Sequence, residues 1–176
     1  SVIRLDMEGM ETLDFVFAKA KLSADWRCVP ASFNTEGYLR IEAGRHPLLA
    51  RECCVPLDFS LGQGIKGMVI TGPNTGGKTV ALKTVGLFCL MAQSGLHLPC
   101  DNASIALTDQ VLCDIGDGQN ISENLSTFSA HITGIIRILS HLTPDSLVLL
   151  DELGSGTDPA EGMGIATAVL AELQKS

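Results

Sequence analysis

Residues 72–79 read GPNTGGKT. Gly72, Gly77, Lys78 and Thr79 fill the pattern G-x-x-x-x-G-K-[ST], in which glycines let the backbone curl so that successive N–H groups face a phosphate. The flanks are the ones such a loop requires. KGMVITG (66–72) reads as a short apolar strand running into it, and KTVALKTVGLFCLMAQSG (78–95) as a helix leaving it. That helix is apolar nearly all round, hence buried, with Gly95 as its C-cap. Its N-terminus adds partial positive charge where the phosphates would lie. Lys78 can reach the β and γ phosphates, Thr79 offers a hydroxyl to Mg²⁺, and Pro73, Asn74, Thr75 and Gly76 complete the loop. A glycine-rich turn with an exposed lysine is the plainer alternative, and the flanking elements weigh against it.

A metal at such a loop needs a carboxylate at a nearby strand end. DSLVLLDE (145–152) supplies one: four apolar residues run directly into Asp151 and Glu152. Asp151 is expected to hold Mg²⁺ through water, and Glu152 to orient and deprotonate an attacking water as general base. Two solvated acids at a surface strand end are the alternative. Between the motifs lies DIGDGQNISENLSTFSAH (114–131), a serine-rich loop feeding an amphipathic helix. Ser126, with the helix dipole, is either a second phosphate-binding element or an ordinary N-cap. In the first case the helix would reach the nucleotide of a second copy, which predicts an ATP-dependent dimer.

Composition narrows the classes. The chain has 176 residues, a mean hydropathy of +0.27 and a formal charge of 12 − 20 = −8, which suits one compact domain. An acidic surface repels phosphate backbones, so non-specific nucleic-acid binding by these residues is disfavoured. Cys28, Cys53, Cys54, Cys89, Cys100 and Cys113 include no CxxC pair, so packed free thiols in a reducing compartment are favoured over a zinc site. The chain opens without a signal peptide, and its longest apolar run, 80–92, is interrupted by Lys83. A soluble, cytoplasmic protein with no membrane partner is expected. The Ser-Val start and the LAELQKS end (170–176) suggest a fragment of a longer protein.

Elsewhere, Met10, Leu13, Phe17 and Ala20 mark an amphipathic helix over about 10–22. YLRIEAG (38–44), ASIAL (103–107) and QVLCDIG (110–116) are strand-like, and RHPLLARECCVPLDFSLGQG (45–64) is irregular. STFSAHITGIIRIL (126–139) is a strong amphipathic helix with Ser126 or Thr127 at its N-cap. TDPAEGMGIATAVLAEL (157–173) is a helix with Asp158 as N-cap, Pro159 at its first position and Glu161 completing a cap-like box. Alternating strands and helices argue for an α/β sandwich around a mainly parallel central sheet.

TGPNTGGKT (71–79), LSTFSAH (125–131) and LLDELGSGTDP (149–159) together resemble the ATPase domain of the MutS family, and GRHPLL (44–49) and VPLDFSLG (55–62) fit the same pattern. The resemblance covers nearly the whole chain. LKTVGL (82–87), MAQSGLHLP (91–99) and GSGTDPAEG (154–162) are most similar to the second bacterial branch, which typically carries an Smr nuclease domain. That branch is described as suppressing homologous recombination and, in some bacteria, as splitting collided ribosomes. The resemblance implies an α/β P-loop NTPase fold of the ABC-ATPase-like type, with residues 1–24 the end of a lever or core helix and 25–176 the ATPase domain. It implies ATP and Mg²⁺ as cofactors, a homodimer through the ATPase face, and DNA or a ribosome engaged through other domains.

Residue by residue, 72–79 resembles the phosphate loop, with Asn74 near the γ-phosphate, and Asp151 and Glu152 the metal ligand and base. LSTF resembles the trans signature, centred on Ser126 and including Thr127. Thr157 and Asp158 resemble the loop linking two nucleotide sites, Asp117 and Gln119 a switch loop, and Val55 an adenine contact. The family's switch histidine lies beyond the second acidic strand. His46, His97, His131 and His141 all precede that strand, so His46 and His131 are expected in structural, hydrogen-bonded roles. The clamp, the lever arms and the Smr domain are absent, so nucleotide binding is expected of these residues with or without turnover. Lys83 and Arg137 read as solvated helix faces. A phosphoryl-transferring kinase and a non-catalytic interaction module remain the alternatives to a motor-type ATPase. Mismatch repair would rest on the family name alone.

Overall fold

The computed structural model describes residues 2–73, 76–116 and 124–175, with backbone only at residues 2 and 124–127. Asn74, Thr75, Asp117 and Gln119 lie outside the described residues, as do the side chains of Ser126 and Thr127. In chain order the elements are α1 (Val2–Trp26), β1 (Ser32–Asn34), β2 (Leu39–Gly44), β3 (Leu57–Leu61), α2 (Lys78–Gln93), β4 (Asn102–Ala106), β5 (Gln110–Asp114), α3 (Asn124–His141), β6 (Ser146–Leu150) and α4 (Pro159–Leu173). From β5 onward strand and helix alternate, as β5-α3-β6-α4.

The strands form two groups. One is a mixed four-stranded sheet in the order β1-β4-β2-β3, with β1 parallel to β4 and β2 antiparallel to both β4 and β3. The other is the parallel pair β5-β6, in register from Gln110 opposite Ser146 to Asp114 opposite Leu150. Helix α2 packs on both groups and supplies the centre of the core. Phe88 and Cys89 are fully buried against Ile41, Leu98 and Ile105, and Leu147 and Leu149 of β6 join the same cluster. Burying these side chains is the main stabilising term. α2 ends where the sequence puts its stop: Gly95 takes φ 72°, its N–H donates to Ala92 O, and Leu96 N–H donates to Met91 O.

Three expectations change. The helix read over 10–22 runs from Val2 to Trp26. Ile3, Met10 and Phe17 of α1 remain exposed, and only its C-terminal end docks, through Ser23 Oγ at 2.7 Å from His97 Nδ1 and through Trp26 against the core. Second, Leu57–Leu61 is a strand inside the stretch read as irregular. Third, 66–71 forms no strand: it pairs with neither sheet group, and Val69 is 71% exposed. An apolar run registers a demand for burial, but a strand also needs a partner edge for its N–H and C=O groups. Among the described residues, no helix is long and apolar enough to cross a membrane.

The cysteines are free thiols, and no cluster of three or more His, Cys, Asp or Glu suited to a metal occurs among the described residues. Burial pushes the thiols of Cys89 and Cys100 up to about 12, whereas Cys53 and Cys113 are exposed. The thiolate is the nucleophile, so burial suppresses both access and reactivity at the first pair. Iodoacetamide at pH 8 is therefore expected to label Cys53 and Cys113 in the folded protein and Cys89 and Cys100 only after unfolding. Peptide mapping reads the order, and early labelling of Cys89 would contradict the buried core.

Candidate functional site

The last three residues of the glycine-rich stretch, Gly77, Lys78 and Thr79, sit at the start of α2. Gly77 is the N-cap, in the left-handed region at φ 81°, ψ 15°, and makes no side-chain cap bond. A residue with a Cβ is strained there. Lys78 and Thr79 are the first two residues of the helix, and no acidic residue occupies its first turn. The orphan N–H groups and positive dipole end of α2 thus carry no acidic side chain from the helix's own first turn. Lys78 Nζ donates to Gly72 O across the loop, and Gly76 N–H closes a turn onto Pro73 O at 2.9 Å.

The acidic strand comes to the same place. Thr79 Oγ1 donates to Asp151 Oδ2 at 2.5 Å, joining residues 72 apart in sequence. Asp151 is 9% exposed, and its other oxygen, Oδ1, accepts the Glu152 N–H at 3.1 Å. Its own N–H donates to Asp114 O at 3.0 Å, extending the β5-β6 pairing by one residue. Glu152 turns out of the strand line with φ 49°, a left-handed conformation that costs a non-glycine residue of order 1 kcal/mol. Its side chain is exposed at the strand end while Asp151 is buried, so the two carboxylates occupy different environments.

This donor set fits a magnesium site. Mg²⁺ prefers oxygen ligands and is usually held by one or two carboxylates together with substrate phosphates. Thr79 Oγ1 and the Asp151 carboxylate are a partly buried hydroxyl–carboxylate pair at the start of α2. The residues that would hold the ion are therefore present and adjacent.

The loop after the acids is shaped by close backbone contact. Ser155 N–H donates to Glu152 O at 2.9 Å, and Gly154 and Gly156 take φ 85° and 84°. A Cβ on Gly162 would lie 2.2 Å from Gly154 O, and one on Gly154 would lie 2.3 Å from Gly162 O. The two backbones meet where no side chain fits. Gly162→Ala is therefore expected to cost about 1–3 kcal/mol, as overpacking does. A thermal midpoint equal to that of the unsubstituted protein would contradict the contact. Asp158 caps α4 as expected, its Oδ1 accepting Ala160 N–H at 2.9 Å, with Pro159 at the first position. Glu161 closes no capping box; its Oε2 accepts the Thr157 hydroxyl at 2.8 Å instead. Thr157 and Asp158 thus both act locally, in building the start of α4.

Helix α3 begins at Asn124, so Ser126 and Thr127 lie within its first turns and not at the expected N-cap. Phe128 packs against Gly156, and a narrow cleft is lined by Phe128, His131, Asp114, Asp151, Glu152 and Ser155. The structure therefore gathers the start of α2, the acidic pair, the 153–156 loop and the signature helix at one end of the β5-β6 pair. His131 Nδ1 lies 2.9 Å from Asp114 Oδ2, matching the structural role read for His131. Asp114 is the residue the sequence reading missed; its only signal was a carboxylate ending the strand before the signature loop.

Other candidates lie apart. Val55 is 84% exposed, and Arg137 is exposed on α3. His46 is structural: its N–H donates to Cys54 Sγ at 3.3 Å and its Nδ1 accepts Leu48 N–H at 3.2 Å. Burial, then the nearby Lys83 ammonium, holds the His46 pKa below its usual value.

Residues 68–176 match the MutS domain V family. Over 176 residues the chain is 49% identical to Endonuclease MutS2 of Agathobacter rectalis, covering 99% of this chain and 22% of that protein. It is 53% identical over 167 residues to Endonuclease MutS2 of Alkaliphilus oremlandii, covering 94% and 21%. With Endonuclease MutS2 of Clostridioides difficile the identity is 52% over 169 residues, covering 96% and 21%. The chain thus spans about a fifth of the length of the relatives it matches.

Proposed function

Since the chain belongs to the MutS family and carries its domain V, we propose that it is a Mg²⁺-dependent P-loop ATPase module. The observation that carries this reading is the Thr79–Asp151 hydrogen bond, which brings the hydroxyl of the glycine loop and the carboxylate of the acidic strand to one point. ATP would lie with its phosphates over the N-terminus of α2. Lys78 would exchange Gly72 O for the β and γ phosphates, so that its charge binds the substrate. Mg²⁺, held by Thr79 and Asp151, would neutralise phosphate charge as the terminal phosphoryl group leaves. Glu152 would take the proton of the attacking water, a role suited to the exposed member of the pair. With water as nucleophile, the products are ADP and phosphate. A kinase reading is less favoured, because no acceptor-binding element is seen among the described residues.

The fold we propose is the P-loop NTPase fold of the ABC-ATPase-like type. The parallel β5-β6 pair and the placement of α2 against β6 support it. Two copies would close on two nucleotides, each presenting the Ser126 and Thr127 end of α3 to the other's phosphates. Thr157 and Asp158 would lie between the two sites, Asp117 and Gln119 would form a switch loop, and Asn74 would approach the γ-phosphate. Closure and reopening would move attached domains on branched DNA, restraining homologous recombination, or on a collided ribosome, in the cytoplasm. Mismatched DNA is the alternative target. The endonuclease name belongs to the relatives.

The test is phosphate release from ATP by the native protein, with Mg²⁺ and with EDTA, alongside sedimentation with and without Mg-ATP. Metal-dependent release and a nucleotide-dependent rise to dimer mass are expected. Release without metal would overturn the hydrolytic reading, and an unchanged mass would overturn the closure reading.

A further inference from the structure

We propose that His131 is a positioning residue for the acidic pair, acting through Asp114; this rests on the ATPase reading above. Asp114 ends β5 and has two faces. Its backbone carbonyl accepts the Asp151 N–H at 3.0 Å, so it sets the line along which Asp151 leaves the sheet. Its side chain points the other way, into α3. There Oδ2 meets His131 Nδ1 at 2.9 Å, and Oδ1 lies 3.0 Å from where a Cβ of Gly134 would be. His131 and Gly134 are one turn apart on the same helix face, so α3 cradles the carboxylate between an imidazole donor and a bare stretch of backbone. Space for the ring is also specific: a Cβ on Gly116 would lie 2.9 Å from His131 Cε1.

The pair is more than a surface ion pair. His131 and Asp114 side chains are 25% and 20% exposed, and both line the cleft that contains Asp151 and Glu152. A carboxylate only accepts, so Nδ1 carries the proton in this contact. The chain of contacts then runs from α3 through His131 Nδ1–H to Asp114, along the Asp114 backbone to Asp151 N–H, and from Asp151 to Thr79 Oγ1 and Glu152 N–H. Each non-covalent link is a hydrogen bond of 3.1 Å or less. A shift of α3 would therefore reach the carboxylates that hold the metal and activate water. The phosphate loop is not in this chain except through Thr79, so removal of the His131 bond should alter turnover more than nucleotide binding.

The experiment compares native protein with His131→Asn and His131→Leu variants, reading kcat, KM for ATP and equilibrium affinity for a fluorescent ATP analogue. Asparagine places an N–H close to the Nδ1 position and keeps the bond; leucine keeps bulk beside Gly116 and loses the bond. The proposal expects His131→Asn to stay within about threefold of native kcat. It expects His131→Leu to fall about tenfold or more in kcat, as loss of a hydrogen bond to a charged group would give if most of it bears on the transition state. KM and analogue affinity should stay within about twofold in both. Native-like kcat in His131→Leu, or equal losses in both variants, would overturn it. If leucine prevents folding, as far-UV circular dichroism would show, Asp114→Asn takes its place. That variant keeps the backbone carbonyl and weakens the His131 contact, and native-like kcat there would overturn the proposal. Should the native protein itself release no phosphate, the ATPase reading fails, which is a different result from a null effect at His131.

Discussion

Glu152→Gln is expected to lower kcat for ATP hydrolysis by about 10²–10⁴-fold, the usual contribution of a positioned general base. Affinity for ATP should stay within about threefold. The substitution keeps the shape of an exposed side chain at φ 49° and leaves the Glu152 backbone N–H that bonds Asp151 in place. Glutamine accepts a hydrogen bond from water but does not take its proton. The variant should therefore accumulate nucleotide-bound protein, and on the closure reading it should remain dimeric with Mg-ATP. Rapid-quench hydrolysis and equilibrium binding separate the two effects. Unchanged kcat would remove Glu152 from the chemistry. A parallel loss of affinity would mean that it serves binding.

The second large effect is at Lys78. Lys78→Ala is expected to weaken ATP binding by about 10- to 100-fold, since a charge-assisted hydrogen bond contributes about 1.5–3 kcal/mol and each 1.4 kcal/mol is tenfold. Its hydrogen bond to Gly72 O lies in an exposed loop, where water can take its place. Titration with a fluorescent ATP analogue checks the affinity, and calorimetry checks the fold. Retained affinity in Lys78→Ala would show that the glycine loop does not hold the phosphates. On the function proposed above, full-length Glu152→Gln protein purified from cells would enrich ribosomal RNA or branched DNA over a Lys78→Ala control, and enrichment of neither would contradict that proposal.

The parts of this account that are local were legible in the sequence. GPNTGGKT places its Lys78 and Thr79 at the start of α2 because glycine conformations and helix capping are decided within a few residues. Asp158 and Pro159 marked the start of α4 for the same reason. What depends on distant partners was not legible. Leu57–Leu61 was masked by Pro56, yet proline is tolerated just before a strand, where its missing N–H breaks no ladder. The stretch 66–71 carries the apolar signal of a strand without a paired edge. The sheet order β1-β4-β2-β3 brings residues 32–34 beside 104–106, a pairing that no local pattern announces.

The site divides in the same way. Asp151 and Glu152 stood out because an apolar strand ran into them, but their separation into one buried and one exposed carboxylate needed the turn at φ 49°. Asp114 looked like any acid at a strand end. Its importance comes from the register of β5 against β6 and from two glycines, Gly116 and Gly134, that clear space around it and His131. Sequence spacing reports that glycine is present without reporting what it makes room for.

The most direct measurement is a crystal structure of the native protein with Mg²⁺ and a non-hydrolysable ATP analogue. The account predicts the triphosphate over the N-terminus of α2 with Lys78 on its terminal phosphates. The ion should be bonded to Thr79 Oγ1 with Asp151 beside it, and a water should lie within hydrogen-bond reach of Glu152. A nucleotide bound elsewhere, or an ion that leaves the Thr79–Asp151 hydrogen bond intact, would contradict it.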